Sequence, residues 1–243
     1  MLAATPPTML AGTLRRLVES QEQVATSRLV ASLTRQAQLE ELIEATEPAL
    51  RPGTENLHYL LAAPFRYPPL KNGSRFGRRS EPSLFYGSLE TRTVLAEAAY
   101  YRFVFWYDMA TPPPGKLDTQ HTLFGAQYRT ERGLQLQAAP FAEHEAVLTH
   151  PADYSQTQAL GTNLRAASIE AFEFISARDP DYGINVALMS PAAFANPRPI
   201  FQEAWLCELT GEHVRFKAAH GKEVYDFMVK TFQINDWLPR PSA

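Results

Sequence analysis

The sequence has a single cysteine, Cys207, among 243 residues, and this scarcity excludes an intramolecular disulfide and any cysteine-rich metal module. It also lacks a run of about 18 apolar residues, and its N-terminus has no basic segment followed by an apolar core. We therefore expect no membrane span, no secretion signal and a cytoplasmic location. The 45% hydrophobic content is high enough for a folded core.

The sequence motifs of several common enzymes are missing as well. There is no G-x-x-x-x-G-K-[ST] loop, no G-x-G-x-x-G, no H-E-x-x-H and no G-x-S-x-G. The six histidines never fall at the i, i+4 spacing that places two metal ligands on one helical face. We therefore expect no metal, and any bound nucleotide must be held without a classical phosphate loop.

Acidic residues slightly outnumber basic ones, and one segment departs from this balance. The net charge of −3 argues against direct contact with nucleic acid. Residues 66–81 form a basic island that has one acidic residue, Glu81, and five basic ones: Arg66, Lys71, Arg75, Arg78 and Arg79. Such an island is either a solvated loop or a docking point for a small anion such as a phosphate.

The first part of the chain has a helical pattern. From Thr13 to Ala49, apolar residues recur at spacings of mostly three and four, and Pro48, Pro52 and Gly53 end the pattern. We predict an N-terminal helical extension over residues 1–55 and a second domain over residues 56–243. The extension is too narrow to hold a core of its own, so it packs on the following domain or on a partner chain.

The remainder of the chain mixes the two periods of hydrophobicity. Helices are predicted from Thr91 or Thr93 to Trp106 and from Tyr154 to Ala171. Strands are predicted at 84–87, 121–128, 134–137, 172–176, 184–189, 204–209 and 213–218, the last two joined as a hairpin by Thr210 and Gly211. Strands and helices do not alternate regularly, so the sequence predicts an α+β domain with mixed or antiparallel sheets and flanking helices.

Glu97 lies on a helical stripe whose other residues are apolar. Val94, Glu97, Tyr101 and Phe105 form a stripe on the first of these helices, and we expect this stripe to face the core. A buried carboxylate needs a partner or a chemical task, because desolvating it alone is very costly. Glu97 is therefore either half of a structural ion pair with a nearby arginine or a catalytic group in a cleft.

The order of several short motifs resembles the RES-domain family, the toxin halves of two-component bacterial toxin–antitoxin systems. The likeness spans about residues 60–210. It is carried by Arg66-Tyr67, Gly73-Ser74-Arg75-Phe76, Phe85-Tyr86-Gly87-Ser88 and Thr93-Val94-Leu95-Ala96-Glu97, and later by His121-Thr122-Leu123-Phe124, Asp153 to Leu160, Phe174 to Asp179 and Asn185-Val186-Ala187-Leu188.

This resemblance implies a fold related to ADP-ribosyltransferase toxins, with NAD bound as a substrate in a cleft. The family is named for an arginine, a glutamate and a serine. Glu97 and Ser176 match the glutamate and the serine, while Arg66 and Arg75 both lie in segments that match the arginine. The acceptor of ADP-ribose is water, phosphate or a protein, and a helical extension favours a protein acceptor.

The resemblance also implies roles for the remaining site residues. The two arginines are expected to hold the pyrophosphate of NAD, and Tyr67 or Tyr86 to stack on nicotinamide. Ser176 is expected to hydrogen-bond Glu97 or the ribose, with Asn185 nearby and Ser88 at the mouth of the site.

A partner follows from the same resemblance. RES toxins are neutralised by an antitoxin that has a DNA-binding helix-turn-helix region and a segment that blocks the cleft, which we expect to cover Arg66, Arg75 and Glu97. The alternative is a non-enzymatic interaction module, in which Glu97 pairs with Arg75 and the basic island docks an acidic partner or RNA.

Overall fold

The structure is a computed structural model that describes residues 5–20 and 32–242, and its architecture is α+β, as predicted. The strands are β1 (Thr8–Glu19), β2 (Phe85–Ser88), β3 (Leu117–Gln135), β4 (Ala171–Ile175), β5 (Ile184–Leu188), β6 (Phe201–Leu209), β7 (His213–Ala218) and β8 (Val224–Met228). The helices are α1 (Leu33–Thr46), α2 (Tyr59–Arg66), α3 (Thr91–Asp108), α4 (Glu145–Leu148) and α5 (Ser155–Ala166).

The strands form one mixed sheet in the order β1-β2-β5-β4-β3-β6-β7-β8. Strand β1 pairs with β3 along its length and meets β2 where Arg15 lies opposite Ser88, so five strands close into a ring. Strands β6, β7 and β8 extend from β3 as an antiparallel sheet, and the β3–β4 pair is parallel. A mixed sheet is confirmed; kinship with ADP-ribosyltransferases stays a prediction.

The expected helix at the N-terminus is wrong for residues 13–19, which belong to β1. Leu10 and Leu14 are the buried residues of this strand. Within the stretch predicted as a helix, the spacing of four between Leu14 and the partly buried Val18 fits both a helical face and every second residue of a strand, so the pattern does not distinguish the two. The pairing of β1 with residues 121–133 of β3 stabilises the strand instead of a helix. Helix α1 falls within the predicted helical stretch, and residues 21–31 lie outside the described residues.

The remaining predicted elements agree in type with the structure. The hairpin between β6 and β7 is confirmed, and the strand predicted at 121–128 and the first two residues of the one predicted at 134–137 belong to the single strand β3. Strand β8 and helices α2 and α4 were not predicted. The helix predicted from Tyr154 to Ala171 ends at Ala166, because Ser168 has a positive φ and the chain turns into β4. The division into residues 1–55 and 56–243 stays a prediction.

Helix α3 buries a different face from the one expected. Tyr101 and Phe105 are 50% and 52% exposed, and the buried face is formed instead by Ala96, Ala99, Tyr100, Phe103 and Trp106. Aromatic residues surround the second half of this helix, so hydrophobicity alone does not select a face. The two alanines allow close approach to the sheet, and the helix packs there against a core of β6, β7 and β8. Glu97 consequently lies at the edge of the buried face and is half-buried.

Candidate active site

The Glu97 carboxylate is held by side chains from two neighbouring strands. Its Oε1 accepts hydrogen bonds from Ser176 Oγ at 2.7 Å and from Asn185 Nδ2 at 2.6 Å. Ser176 directly follows β4, and Asn185 lies in β5, which pairs with β4. Three elements distant in sequence therefore meet at one carboxylate oxygen.

Ser176 has its hydrogen-bonding directions fixed by the backbone that follows it. Its Oγ accepts the backbone N–H of Arg178 at 3.1 Å and of Asp179 at 3.0 Å. A hydroxyl has two acceptor positions and one proton, so both acceptor positions are occupied and the proton is left for Glu97. The side chain is buried, which keeps water from competing for it.

Asn185 is fixed in turn by Ser88. The two residues lie opposite each other in the β2–β5 pairing, and Ser88 Oγ donates to Asn185 Oδ1 at 2.7 Å. Both side chains are buried. Because the amide oxygen accepts from Ser88, the amide nitrogen points at Glu97, where a donor is required.

The loop between β4 and β5 is tied to the first turn of α3. Thr93 Oγ1 donates to Asp179 Oδ2 at 2.8 Å, and neither Thr91 nor Thr93, the two caps that the sequence predicts, is the N-cap of α3. The N-cap residue is Glu90, whose side chain makes no capping bond. A Cβ on Gly183 would lie 2.0 Å from Thr93 Oγ1, so only glycine allows this approach. The contact fixes the spacing between the helix that carries Glu97 and the loop that carries Ser176.

Arg178 is a buried cation next to this group, with 5% of its surface exposed. Its guanidinium lies 3.5 Å from the centre of the Tyr100 ring and donates to Pro151 O at 2.6 Å and to Tyr154 Oη at 3.3 Å. Burial alone disfavours its charge, but the nearby Tyr154, Tyr100 and Glu97 oxygens outweigh burial and raise its pKa above the usual range.

Arg75 is a second buried cation that shares a partner with Arg178. Its guanidinium lies 4.5 Å from the centre of the Tyr154 ring and donates to Tyr154 Oη at 3.4 Å. It also donates to Leu148 O at 3.1 Å and His150 O at 2.8 Å. Within residues 5–20 and 32–242, no carboxylate forms an ion pair with either arginine. Two buried positive charges with no carboxylate at ion-pair distance in the described part of the chain make this region attractive to an anion.

Arg66 and Tyr67 lie in a different part of the structure. Arg66 forms an ion pair with Glu47 and donates to Pro48 O, and Tyr67 Oη donates to Glu47 Oε1 at 2.9 Å. Both residues line a cavity of about 580 Å³ between β1, α2 and the segment after α1, and the Glu97 group does not line it. The expected arrangement, with Arg66 and Arg75 facing Glu97 across one pocket, is therefore not what the described contacts form.

Tyr86 is held by its hydroxyl rather than free to move. Its Oη shares a hydrogen bond with Ser74 Oγ at 2.9 Å and accepts the backbone N–H of Phe76 at 3.2 Å. Burial raises the pKa of Tyr86 to about 12. The tyrosine thus anchors the loop that carries Arg75, a role that leaves its expected stacking on nicotinamide untested.

The structure brings together four of the predicted site residues, Glu97, Ser176, Asn185 and Ser88. Sequence reasoning left Arg178 open between a local ion pair and a contact at the rim of the site, and it assigned Tyr154 to the packing of α5. Both residues lie within motifs that carry the resemblance. Their importance depends on tertiary contacts that local spacing does not encode.

An α+β fold with a carboxylate, a serine and two buried arginines defines a candidate enzyme site. A family model described as the RES domain matches residues 49–216. The chain therefore belongs to the RES-domain family, as the sequence motifs predicted. A search among curated proteins gives no match.

Two further findings bear on the chemistry and the surroundings of the site. Among the described residues, no group of three or more His, Cys, Asp or Glu side chains is placed to hold a metal ion. No helix in the same part of the chain is long and apolar enough to cross a membrane.

Proposed function

We propose that this protein cleaves the bond between nicotinamide and ribose in NAD and transfers the ADP-ribosyl group to an acceptor. The observation that carries the proposal is the hydrogen bonding of the Glu97 carboxylate. Two donors occupy Oε1, whereas Oε2 accepts no hydrogen bond from the described residues. One oriented carboxylate oxygen is therefore free to face a ligand.

The proposed reaction needs a fixed negative charge more than it needs an acid. Nicotinamide in NAD is cationic, so when its bond to ribose C1′ breaks, the electron pair returns to the ring nitrogen and neutral nicotinamide leaves. The ribose develops oxocarbenium character, which a carboxylate stabilises. An acceptor oxygen then bonds to C1′ and loses its proton. Glu97 fits the stabilising role, and its Oε2 is available to accept a hydrogen bond from a ribose hydroxyl.

The pyrophosphate of NAD requires positive charge, and Arg75 is the better placed of the two predicted arginines. It lies beside Arg178, and neither has a carboxylate partner in the described part of the chain. Planar guanidinium groups bind phosphate oxygens through paired hydrogen bonds. Arg66 can take part only if an anionic ligand displaces Glu47 from it.

The acceptor stays open among water, phosphate and a protein side chain. The preference for a protein acceptor depended on a helical extension, and residues 8–19 belong instead to the central sheet. Mass spectrometry of the products separates the three outcomes, as free ADP-ribose, phosphorylated ADP-ribose or a modified protein.

Membership of a family of toxins supports two further parts of the proposal: a cytoplasmic location, and an antitoxin with a helix-turn-helix region whose segment covers Glu97 and Arg75. A structure of the complex with that segment on the opposite face would contradict the second part. The alternative of a basic docking module has less support, because Arg75 is buried and Arg66 is paired with Glu47, so the island is not one continuous basic surface.

The test is to incubate the purified protein with NAD and to measure free nicotinamide, with water, phosphate and a cell extract supplied in turn as acceptors. Release of nicotinamide supports the proposal. No release under all three conditions would overturn it.

A further inference from the structure

We infer that Asn185 and Ser88 are positioning residues for Glu97 rather than ligands of the dinucleotide, an inference that rests on the proposed function. Resemblance alone places both near the substrate. Their polar atoms instead form a buried relay in which Ser88 donates to Asn185 and Asn185 donates to Glu97.

The hydrogen-bonding capacity of the relay is directed inward. Ser88 Oγ uses its single proton on Asn185 Oδ1 at 2.7 Å, and Asn185 directs Nδ2 to Glu97 Oε1 at 2.6 Å. Ser88 is 2% exposed and Asn185 is 5% exposed, and the Ser88 proton and the Asn185 oxygen already have each other as partners. A ligand that took the Ser88 proton or the Asn185 proton bonded to Glu97 would have to break a buried hydrogen bond first.

The relay fixes the position of the Glu97 oxygen that has no hydrogen-bond donor among the described residues. With Ser176 and Asn185 both bonded to Oε1, the carboxylate cannot rotate about its last bond without losing two short hydrogen bonds. Oε2 is therefore held in one direction before any ligand arrives. Preorganisation of this kind lowers the barrier because no reorientation is needed when charge develops on the substrate.

A positioning role and a binding role predict different kinetics. Loss of a residue that binds NAD in both the ground state and the transition state raises KM and leaves kcat unchanged. Loss of a residue that orients Glu97 lowers kcat and leaves KM for NAD nearly unchanged. Because Ser88 reaches Glu97 only through Asn185, the effects of the two residues should not multiply.

The experiment measures kcat and KM for nicotinamide release by the full chain and by Ser88→Ala, Asn185→Ala, the double variant and Asn185→Asp. We expect kcat to fall about tenfold for Ser88→Ala and up to about 100-fold for Asn185→Ala, with KM changed by less than about twofold. The double variant should match Asn185→Ala. Asn185→Asp keeps the side-chain size but places a carboxylate beside Glu97, so its kcat should fall below that of Asn185→Ala.

Tyr128→Phe is the matched control, because it removes another buried hydroxyl, 2.7 Å from Glu173 Oε1, that does not contact Glu97. Tyr128→Phe should lower the free energy of unfolding about as much as Ser88→Ala does, and it should leave kcat unchanged. If Asn185→Ala does not fold, the isosteric Asn185→Asp and the mild Ser88→Ala still decide the question.

Three results would overturn the inference. A raised KM with unchanged kcat would make the pair ligands, and a double-variant loss equal to the product of the single losses would remove the relay; in both cases the proposed function stands. If the wild-type protein releases no nicotinamide, the proposed function fails and the inference fails with it.

Discussion

Ser176 Oγ lies 2.7 Å from Glu97 Oε1, although 79 positions separate the two residues in the sequence. Glu97 is carried by α3, and Ser176 follows β4, a strand inside the closed ring of the sheet. The Thr93–Asp179 hydrogen bond joins the same helix and the same loop. The position of the carboxylate therefore depends on the packing of α3 against the loop between β4 and β5.

The first prediction concerns the contact between α5 and the loop that carries Arg75. Gly161→Ala should destabilise the protein by about 3 kcal/mol, because the new Cβ would lie 1.9 Å from the backbone oxygen of Phe76. In an uncrowded helix the same change stabilises by up to about 1 kcal/mol. Urea unfolding measures the difference. Asn163→Ala, at an exposed position of α5, is the control, and equal stability of the two variants would contradict the contact.

The second prediction concerns pH and His121, a buried residue of β3. Burial and the neighbouring Arg102 lower the pKa of His121 to about 4. Arg102 Nη2 lies 2.8 Å from His121 Nε2, and because arginine only donates, that nitrogen accepts and the ring is neutral. The folded protein therefore takes up the proton at a lower pH than the unfolded chain does.

The sign of the effect follows from that difference. Below about pH 6.5 the unfolded chain binds a proton at this histidine and the folded protein does not, so stability falls as the pH falls to about 4. The full effect is roughly 3 kcal/mol. Urea unfolding at several pH values should show a smaller decline in His121→Gln than in the wild type. His220→Gln, at an exposed position, is the control; identical profiles for His121→Gln and the wild type would refute the prediction.

The third prediction concerns the stacked guanidinium of Arg178. Arg178→Lys keeps the positive charge but loses the planar contact with Tyr100 and one of the bonds to Pro151 and Tyr154. We expect the free energy of unfolding to fall by about 1–3 kcal/mol. KM for NAD should rise about tenfold, because lysine cannot form paired bonds with a phosphate. Arg79→Lys, at an exposed position, is the control and should change neither the free energy of unfolding nor KM. An unchanged KM in Arg178→Lys would show that Arg178 does not bind NAD.

Local patterns in the sequence predicted those elements in which the spacing of apolar residues fits only one type of secondary structure. Strand β2 and the hairpin of β6 and β7 are short, bounded by turn residues and correctly placed. The strand β1 was mistaken for a helix because a spacing of four between Leu14 and Val18 satisfies both periods. Only its long-range pairing with β3 resolves the ambiguity, and that pairing leaves no trace in the local sequence.

The candidate site was predictable to the extent that motif order carries it. The order of motifs singled out Glu97, Ser176 and Asn185, and the structure brings these three into contact. It did not indicate that Arg66 pairs with Glu47, because a residue 19 positions earlier belongs to no recognised motif. The motif Phe174 to Asp179 includes Arg178 but does not indicate its stacking on Tyr100, which depends on how α3 meets the loop after β4.

The most direct test of the central claim is nicotinamide release from NAD by the wild type and by Glu97→Gln. Glutamine keeps the shape of the side chain and an oxygen that can accept from Ser176 and Asn185. It removes the negative charge and places an NH2 donor where Oε2, the free acceptor, lies in the wild type. Glu90→Gln, at an exposed position just before α3, is the matched control. We predict turnover by the wild type and by Glu90→Gln, and a rate at least about 100-fold lower in folded Glu97→Gln. Turnover at the wild-type rate in Glu97→Gln would contradict the account.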